Sequence, residues 1–112
     1  MTNFYNKYDV VVVKFPFASS SKYKARPAVI ISSEIYNENK RDTLIILAIS
    51  SVIDSKLDFE LDIQNWNEAG LLKESIFKSS VATIQKDFII TKLGKLSQVD
   101  VDRLEKMIQA LC

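Results

Sequence analysis

Short apolar runs separated by polar turns dominate the first half of the chain. Residues 9–17 (DVVVVKFPF) and 43–49 (TLIILAI) are rich in β-branched and aromatic side chains, and residues 28–31 (AVII) are continuously apolar. Runs of this length and composition predict strands, and unbroken apolar runs are typical of strands buried on both faces. Ser32 or Ser33 can then cap a short helix or turn ahead of the next strand.

The pattern changes in the second half. Residues 56–63 (KLDFELDI) alternate polar and apolar, which predicts a half-exposed strand with its charges on the solvent side. Residues 76–84 and 89–96 predict two further strands, and Gly70 is suited to the turn that precedes them.

The C-terminal segment has a helical period. Ser97 and Asp100 form a capping-box-like start, and apolar side chains then recur at helical spacing, at Val101, Leu104, Ile108 and Leu111. Several short strands followed by one amphipathic helix predict a mainly β (α+β) fold, a small β-barrel or roll. We expect residues 1–112 to form a single domain.

The amino-acid composition excludes several classes of protein and of active site. The 112 residues carry a net charge of +1, with 47% hydrophobic and 26% charged residues, as in ordinary soluble domains. The one cysteine is Cys112, residues 1–8 are polar, and the apolar run at 44–49 is too short to cross a bilayer, so we expect a cytoplasmic protein without membrane contact. Because the chain has no histidine, Ser-His and Cys-His nucleophile pairs and imidazole zinc sites are excluded.

A basic, aromatic stretch lies between Val10 and Ser33, where the chain has no acidic residue. The cations and rings that alternate there are Lys14, Phe15, Phe17, Lys22, Tyr23, Lys24 and Arg26. Rings can stack on bases while cations hold phosphates, which indicates nucleic-acid binding. The competing interpretation is a solvated hairpin loop whose lysines provide solubility, and composition alone favours it.

Two residues stand where predicted strands begin and end. Arg26 precedes Pro27, which restricts the backbone before it and would aim the guanidinium from the mouth of the strand at 28–31. Such a group can donate two hydrogen bonds to one phosphate. Ser50 follows the strand at 43–49; hydroxyls at strand ends are more often turn formers than catalysts, but neighbouring strands could bring Ser50 near Arg26.

The order of several short segments resembles the PemK/MazF-like toxins of bacterial toxin–antitoxin systems. The segments are YDVVVVKFPF, the ARPAVII step, LAISSV, WNEAGLLKES and KLGKLS, which together span nearly the whole chain. The resemblance implies an SH3-like β-barrel of the CcdB/Kid/MazF type with a C-terminal helix, assembled as a homodimer. It also implies a metal-independent, cofactor-free endoribonuclease that cuts single-stranded RNA at short sequences and is silenced by a MazE/PemI-like antitoxin.

The resemblance assigns catalysis to Arg26 and to Ser50, where the family has threonine. With the basic stretch, it predicts RNA contacts from Lys14, Phe17, Ser19, Ser20, Lys22, Tyr23, Lys24, Ser51 and Lys78. The chain departs from the family pattern at Tyr8, where the family has glycine, and at Ala48 and Glu74, where it has proline.

Two other functions remain open at this point. One is a degenerate toxin that binds antitoxin or nucleic acid without cleaving it. The other is a gyrase poison resembling CcdB, which acts through a tryptophan in its C-terminal tail; here the single tryptophan, Trp66, is internal, which argues against that function.

Overall fold

The computed structural model describes residues 5–16 and 23–112. Five strands and two helices form in this part of the chain. They are β1 (Asp9–Pro16), β2 (Tyr23–Ile30), α1 (Glu34–Asn37), β3 (Thr43–Ser50), β4 (Ile76–Gln85), β5 (Ile89–Lys95) and α2 (Gln98–Leu111), with 3-10 turns at Ile53–Ser55 and Lys86–Phe88. Over the described residues, neither helix has the length and apolar character needed to span a bilayer.

The strands form one antiparallel sheet in the order β4-β3-β2-β1-β5. Within the described residues the two edge strands, β4 and β5, do not pair with each other, so the curved sheet is barrel-like but open. The predicted class, mainly β with a C-terminal helix, is confirmed.

Both faces of the central strands are buried. One face packs Val10 and Leu47 against Leu104 and Met107 of α2, and the opposite face buries a second cluster. The second cluster contains Val11, Val13, Ala28, Ile30, Leu44, Ile46 and Ile84. Unbroken apolar runs are therefore required, because alternate residues of each strand enter different cores.

The caps of both helices follow the sequence prediction, with one addition. The Ser33 hydroxyl accepts the Tyr36 N–H, and the Ser97 hydroxyl accepts the Asp100 N–H. The Asp100 carboxylate does more than cap, because it is buried and accepts the backbone N–H groups of Gln64 and Asn65 at 2.7 and 2.8 Å. Asp100 thereby fixes the turn that crosses the N-terminus of α2.

The prediction of a strand at residues 56–63 is wrong. This segment forms a turn closed by the Glu60 N–H on the Leu57 carbonyl, and only Asp62 makes an isolated bridge, to Ile76. The predicted solvent face is also wrong at Glu60, which is fully buried, whereas Phe59 is 41% exposed. The alternating pattern predicts the wrong environment for Glu60 because its carboxylate accepts hydrogen bonds from donors inside the protein, and these favour its burial.

β2 begins before the Arg-Pro step, so Pro27 does not open the strand as predicted but pairs within it with Val12 of β1. The proline is tolerated because β2 pairs with β3 only from Ala28 onwards. The Ile31 N–H donates to the Ile45 carbonyl of β3. Alternate residues of an antiparallel strand direct their backbone groups to the same neighbouring strand, so the backbone of Pro27 is also directed to the β3 side. Pro27 therefore faces the stretch where β2 has no partner in β3, and no ladder hydrogen bond is lost.

The backbone at Tyr8 is conformationally demanding. Tyr8 has φ +75°, in the left-handed region that favours glycine. Its backbone is held by hydrogen bonds to Ile30 and from Leu96, and its hydroxyl donates to Glu105 of α2 at 2.5 Å. The tyrosine thus gives up the freedom of glycine and gains a contact between the start of β1 and α2.

Candidate active site

Arg26 and Ser50 approach one another because of the register between β2 and β3. The last pair of that ladder is Ala28 with Ala48, and Arg26 and Ser50 each lie two residues beyond it along their own strands. Since side chains two residues apart share a face of a strand, Arg26 and Ser50 stand on the same side of the sheet as that alanine pair. Arg26 is exposed and Ser50 is half-buried.

The two side chains line one open cavity of about 280 Å³. Its walls come from β1, β2, β3 and β4, and the lining residues are Phe15, Arg26, Ala48, Ile49, Ser50, Lys78 and Ser80. Two cations, two hydroxyls and one aromatic ring therefore converge on a single site. Such a set can hold a phosphate and stack a base.

The Ser50 hydroxyl takes part in a local turn. Its oxygen accepts the Val52 N–H at 3.0 Å, so the position of the oxygen is tied to the backbone that follows β3. A serine hydroxyl has one donor and two acceptor sites. Within the described residues the O–H proton has no partner, which leaves it able to donate to a ligand in the cavity.

Lys78 is half-buried and anchored at its ammonium group. Its Nζ lies 3.0 Å from Glu60 Oε1 and 3.1 Å from the Ser55 carbonyl oxygen, with Ser55 Oγ at 3.5 Å. Its side chain is 23% exposed. The cavity therefore has a cation of fixed position on the β4 side.

The carboxylate of Glu60 has four hydrogen-bond donors and no exposed surface. The Leu57 N–H and Lys78 donate to Oε1, while the Ser79 N–H and hydroxyl donate to Oε2, at 2.7 and 2.9 Å. Burial acts to raise the pKa of Glu60, but the four hydrogen bonds outweigh it and lower the pKa to about 2. Glu60 is thus an anion at neutral pH, behind the wall of the cavity.

The remaining predicted RNA contacts do not all reach this cavity. Exposed Lys24 shares the strand face of Arg26, but half-buried Lys14 shares the face of Val12, on the other side of the sheet. Ser51, like Val12, lines a separate, more apolar cavity of about 380 Å³. Phe17, Ser19, Ser20, Lys22 and the side chain of Tyr23 lie outside the described residues.

Sequence reasoning did not assign a site function to Phe15, Ser80 or Glu60. Phe15 was visible as an aromatic residue in the basic stretch, but its neighbours along the chain gave no reason to separate it from Phe17. Ser80 lies in β4, and nothing in the local pattern marks it. Glu60 was assigned to the solvent face of a strand that does not exist. Among residues 5–16 and 23–112, no three carboxylate or cysteine side chains are grouped as a metal site requires.

Comparison with known proteins places this chain in a family. The sequence profile of the PemK-like, MazF-like toxins of type II toxin–antitoxin systems matches residues 6–112. The chain belongs to the PemK/MazF-like toxin family. This match confirms the resemblance in the order of the segments, while among curated proteins none is significantly similar in sequence.

Solved structures support the same fold. A mycobacterial endoribonuclease in complex with its cognate antitoxin is 13% identical with a TM-score of 0.73, over 97% of this chain and 93% of that chain. The MazE–MazF structure from Deinococcus radiodurans is 15% identical with a TM-score of 0.73, over 98% and 94%. The Mycobacterium tuberculosis toxin MazF-mt6 is 19% identical with a TM-score of 0.69, over 91% and 93%.

Proposed function

We propose that this PemK/MazF-like toxin is an endoribonuclease that cleaves single-stranded RNA at short sequences, with its active site in the cavity lined by β1, β2, β3 and β4. The observation that carries the proposal is the convergence of Arg26, Ser50 and Lys78 on that cavity. In a chain without histidine, an arginine and a hydroxyl on one face of the sheet are the groups suited to bind a phosphodiester.

The reaction follows from these groups. The 2′-oxygen of the RNA forms a bond to the adjacent phosphorus and loses its proton to solvent water. The bond from phosphorus to the 5′-oxygen breaks, and water delivers a proton to that leaving oxygen. Negative charge builds on the non-bridging oxygens. Arg26 stabilises that charge with two hydrogen bonds, and the Ser50 O–H donates to one of the same oxygens. Because the nucleophile is the 2′-hydroxyl, DNA is not a substrate.

The cavity walls provide the remaining contacts. Lys78 holds a neighbouring phosphate, and Phe15 offers a half-buried ring on which a base can stack. Lys24 extends the positive surface along the same face of β2. We also propose that Phe17, Ser19, Ser20, Lys22 and Tyr23 contact RNA, and that Lys14 and Ser51 make contacts on the other side of the sheet.

We also propose a homodimer whose groove is occupied by a MazE/PemI-like antitoxin. Support comes from the family membership and from two neighbours in fold, one described as an endoribonuclease with its cognate antitoxin and one as a MazE–MazF complex. A light-scattering mass of one chain at micromolar concentration would remove the dimer from the proposal.

The direct test is cleavage of a long single-stranded RNA in EDTA by the wild type, Arg26→Ala and Ser50→Ala. We expect wild type to cut at one short recurring sequence, Arg26→Ala to lose cleavage, and Ser50→Ala to be slower by roughly 10²-fold. The matched control is Arg41→Ala, which removes an exposed arginine outside the cavity. Intact RNA with folded, antitoxin-free wild type would contradict the proposal and favour a toxin homologue that binds without cleaving.

A further inference from the structure

We propose that a hydrogen-bonded chain running from buried Glu60 through Lys78 and Ser55 fixes the Ser50 hydroxyl in the active site, so that Glu60, Lys78 and Ser55 act as positioning residues for Ser50. The proposal rests on the proposed function, because it assigns Ser50 a catalytic hydroxyl. It gives Lys78, which also lines the cavity, a second role, and it adds Glu60 and Ser55, which do not line the cavity.

The chain starts at a rigid end. Glu60 is fully buried, and its two oxygens accept four hydrogen bonds, three of them from Leu57 and Ser79. The fourth donor is Lys78, whose Nζ lies 3.0 Å from Oε1. A carboxylate with every direction occupied cannot turn, so it holds the ammonium group in one place.

The chain then crosses from β4 to the 3-10 turn at Ile53–Ser55. The Lys78 Nζ donates to the Ser55 carbonyl oxygen at 3.1 Å, and the Ser55 hydroxyl donates to the Val52 carbonyl at 2.6 Å. The Ser55 N–H also donates to Val52, at 3.1 Å. Val52 is thus held by two hydrogen bonds from the residue that Lys78 anchors.

The last bond reaches the active site. The Val52 N–H donates to Ser50 Oγ at 3.0 Å. This bond exists only while the turn after β3 keeps its shape, and residues 51–59 are all exposed, so the turn has no core of its own to hold it. Lys78 and Glu60 connect this exposed turn to the interior.

The hydrogen-bonded chain restricts a side chain that would otherwise rotate freely. A threonine has two heavy atoms on Cβ, which restrict its χ1 angle, whereas a serine hydroxyl moves among three staggered positions. In this protein Ser50 has no methyl group, and the hydrogen bond from Val52 selects one rotamer instead. The χ1 angle of a threonine at position 50 would therefore depend less on the hydrogen-bonded chain than the χ1 angle of serine does.

This dependence gives a test by rescue. We would measure single-turnover RNA cleavage for Ser55→Ala and Lys78→Met, each with Ser50 and with Ser50→Thr. We expect Ser55→Ala to lower the cleavage rate constant roughly 3- to 10-fold with little change in RNA affinity, as for the loss of one or two hydrogen bonds. We expect Ser50→Thr to restore most of that loss. Loss of affinity alone in Ser55→Ala, which removes no residue of the cavity lining, or equal losses of the rate constant in both backgrounds, would overturn the proposal.

Lys86→Met is a matched control. Lys86 lies just beyond the opposite end of β4, donates to the Asn37 carbonyl, lies 3.9 Å from the Asp42 carboxylate, and is 24% exposed compared with 23% for Lys78. It makes the same kinds of contact but has no connection to Ser50. A cleavage rate constant in Lys86→Met as low as in Lys78→Met would overturn the proposal, because the effect would then be general destabilisation.

A second measurement does not need activity. Three-bond couplings of the Ser50 β-protons report its χ1 angle by NMR. We expect one dominant rotamer in wild type and Lys86→Met, and averaged couplings in Ser55→Ala and Lys78→Met. If wild type failed to cleave RNA but showed this pattern, the proposed function would fail and the positioning chain would stand. Averaged couplings in wild type, or unchanged couplings in both variants, would overturn the chain itself.

Discussion

Arg26 and Ser50 stand two residues beyond the same pair, Ala28 and Ala48, on neighbouring antiparallel strands and on one face of the sheet. Their proximity is thus a property of strand register, not of a loop. Farther along the same ladder, Val29 and Leu47 are buried in one core and Ile30 and Ile46 in the other, so the register cannot slip without moving buried side chains into solvent. The candidate site is therefore built at the ends of paired strands, which favours fixed geometry over adjustment to a substrate.

Replacing Arg26 with lysine separates charge from geometry. Lysine keeps the positive charge but cannot donate two parallel hydrogen bonds to one phosphate. We expect Arg26→Lys to cleave RNA roughly 10- to 100-fold more slowly than wild type, between wild type and Arg26→Ala. Single-turnover kinetics at saturating RNA would measure this, with Arg41→Lys as the control. Full activity of Arg26→Lys would show that a point charge suffices.

Glu60 gives the fold a defined response to acid. Its folded-state pKa of about 2 lies below the ordinary value of 4.5, so the folded protein binds this proton less tightly than the unfolded chain. The stabilisation is complete above about pH 5 and is lost as pH falls from 4.5 through 2. At about 1.4 kcal/mol per pKa unit, its contribution to the free energy of unfolding is about 3 kcal/mol.

Glu60→Gln tests this dependence. We expect the variant to be less stable than wild type by about 3 kcal/mol at pH 7, and the difference to shrink towards pH 2, where the wild-type carboxylate is also protonated. Urea unfolding between pH 2.5 and 7 measures both proteins under the same conditions. A difference that stayed constant with pH would show that packing, and not the charge facing Lys78, is responsible.

The same residue shows where the sequence is a poor guide. The strands β1, β3, β4 and β5 follow from local patterns of apolar residues, and α2 follows from its helical period, because burial of each depends on neighbours in sequence. Glu60 stands in an alternating segment that looks like a strand. Its burial depends on Lys78 and Ser79, 18 and 19 residues away, and no local pattern reports donors at that distance.

The candidate site likewise has features that the sequence predicts and features that it does not. The Arg-Pro step and the end of β3 could be found as positions where polar side chains meet buried strands. Their convergence depends on the β2–β3 register, and the face of Lys14 depends on its pairing with Ala25. The position of Pro27 inside β2 could not be foreseen, because it requires that β3 stop pairing at Ala28.

The titration of Tyr8 also makes the stability depend on pH, but in the opposite direction to that of Glu60. Burial, and then the hydrogen bond to Glu105, raise the pKa of Tyr8 from 10.0 to about 12. The folded protein holds this proton more tightly than the unfolded chain, so the stabilisation is complete below pH 10 and is lost as pH rises through 12. We expect tyrosinate absorbance to show a component near pH 12 that is missing in Tyr8→Phe.

Tyr8→Phe should also be less stable at pH 7 by about 1 kcal/mol, because it loses one hydrogen bond to a carboxylate and keeps the left-handed backbone. Thermal unfolding at neutral pH measures this, and Tyr36→Phe serves as the control, since its hydroxyl lies 3.2 Å from the neutral Thr43 hydroxyl. An identical high-pH titration in wild type and Tyr8→Phe would show that another tyrosine is responsible.

The two glycines, Gly70 and Gly94, mark one close backbone contact. A Cβ at Gly70 would lie 2.4 Å from the Leu93 carbonyl oxygen, and Gly70 also has φ +88°. A Cβ at Gly94 would lie 2.8 Å from the Ala69 carbonyl oxygen, without a positive φ. We expect Gly70→Ala to lower the free energy of unfolding by about 2–4 kcal/mol, and Gly94→Ala by less, because only the first combines a clash with strain.

The double variant tests whether the two positions share one contact. Each added methyl group would push the turn at 64–70 away from β5, so the displacement made for one relieves the other, and the double variant should lose less stability than the sum of the single losses. Urea unfolding of the four proteins gives the coupling. If the two losses of stability were strictly additive, the turn and β5 would adjust separately at each glycine. Gly70 and Gly94 would then mark two independent contacts and not one shared contact.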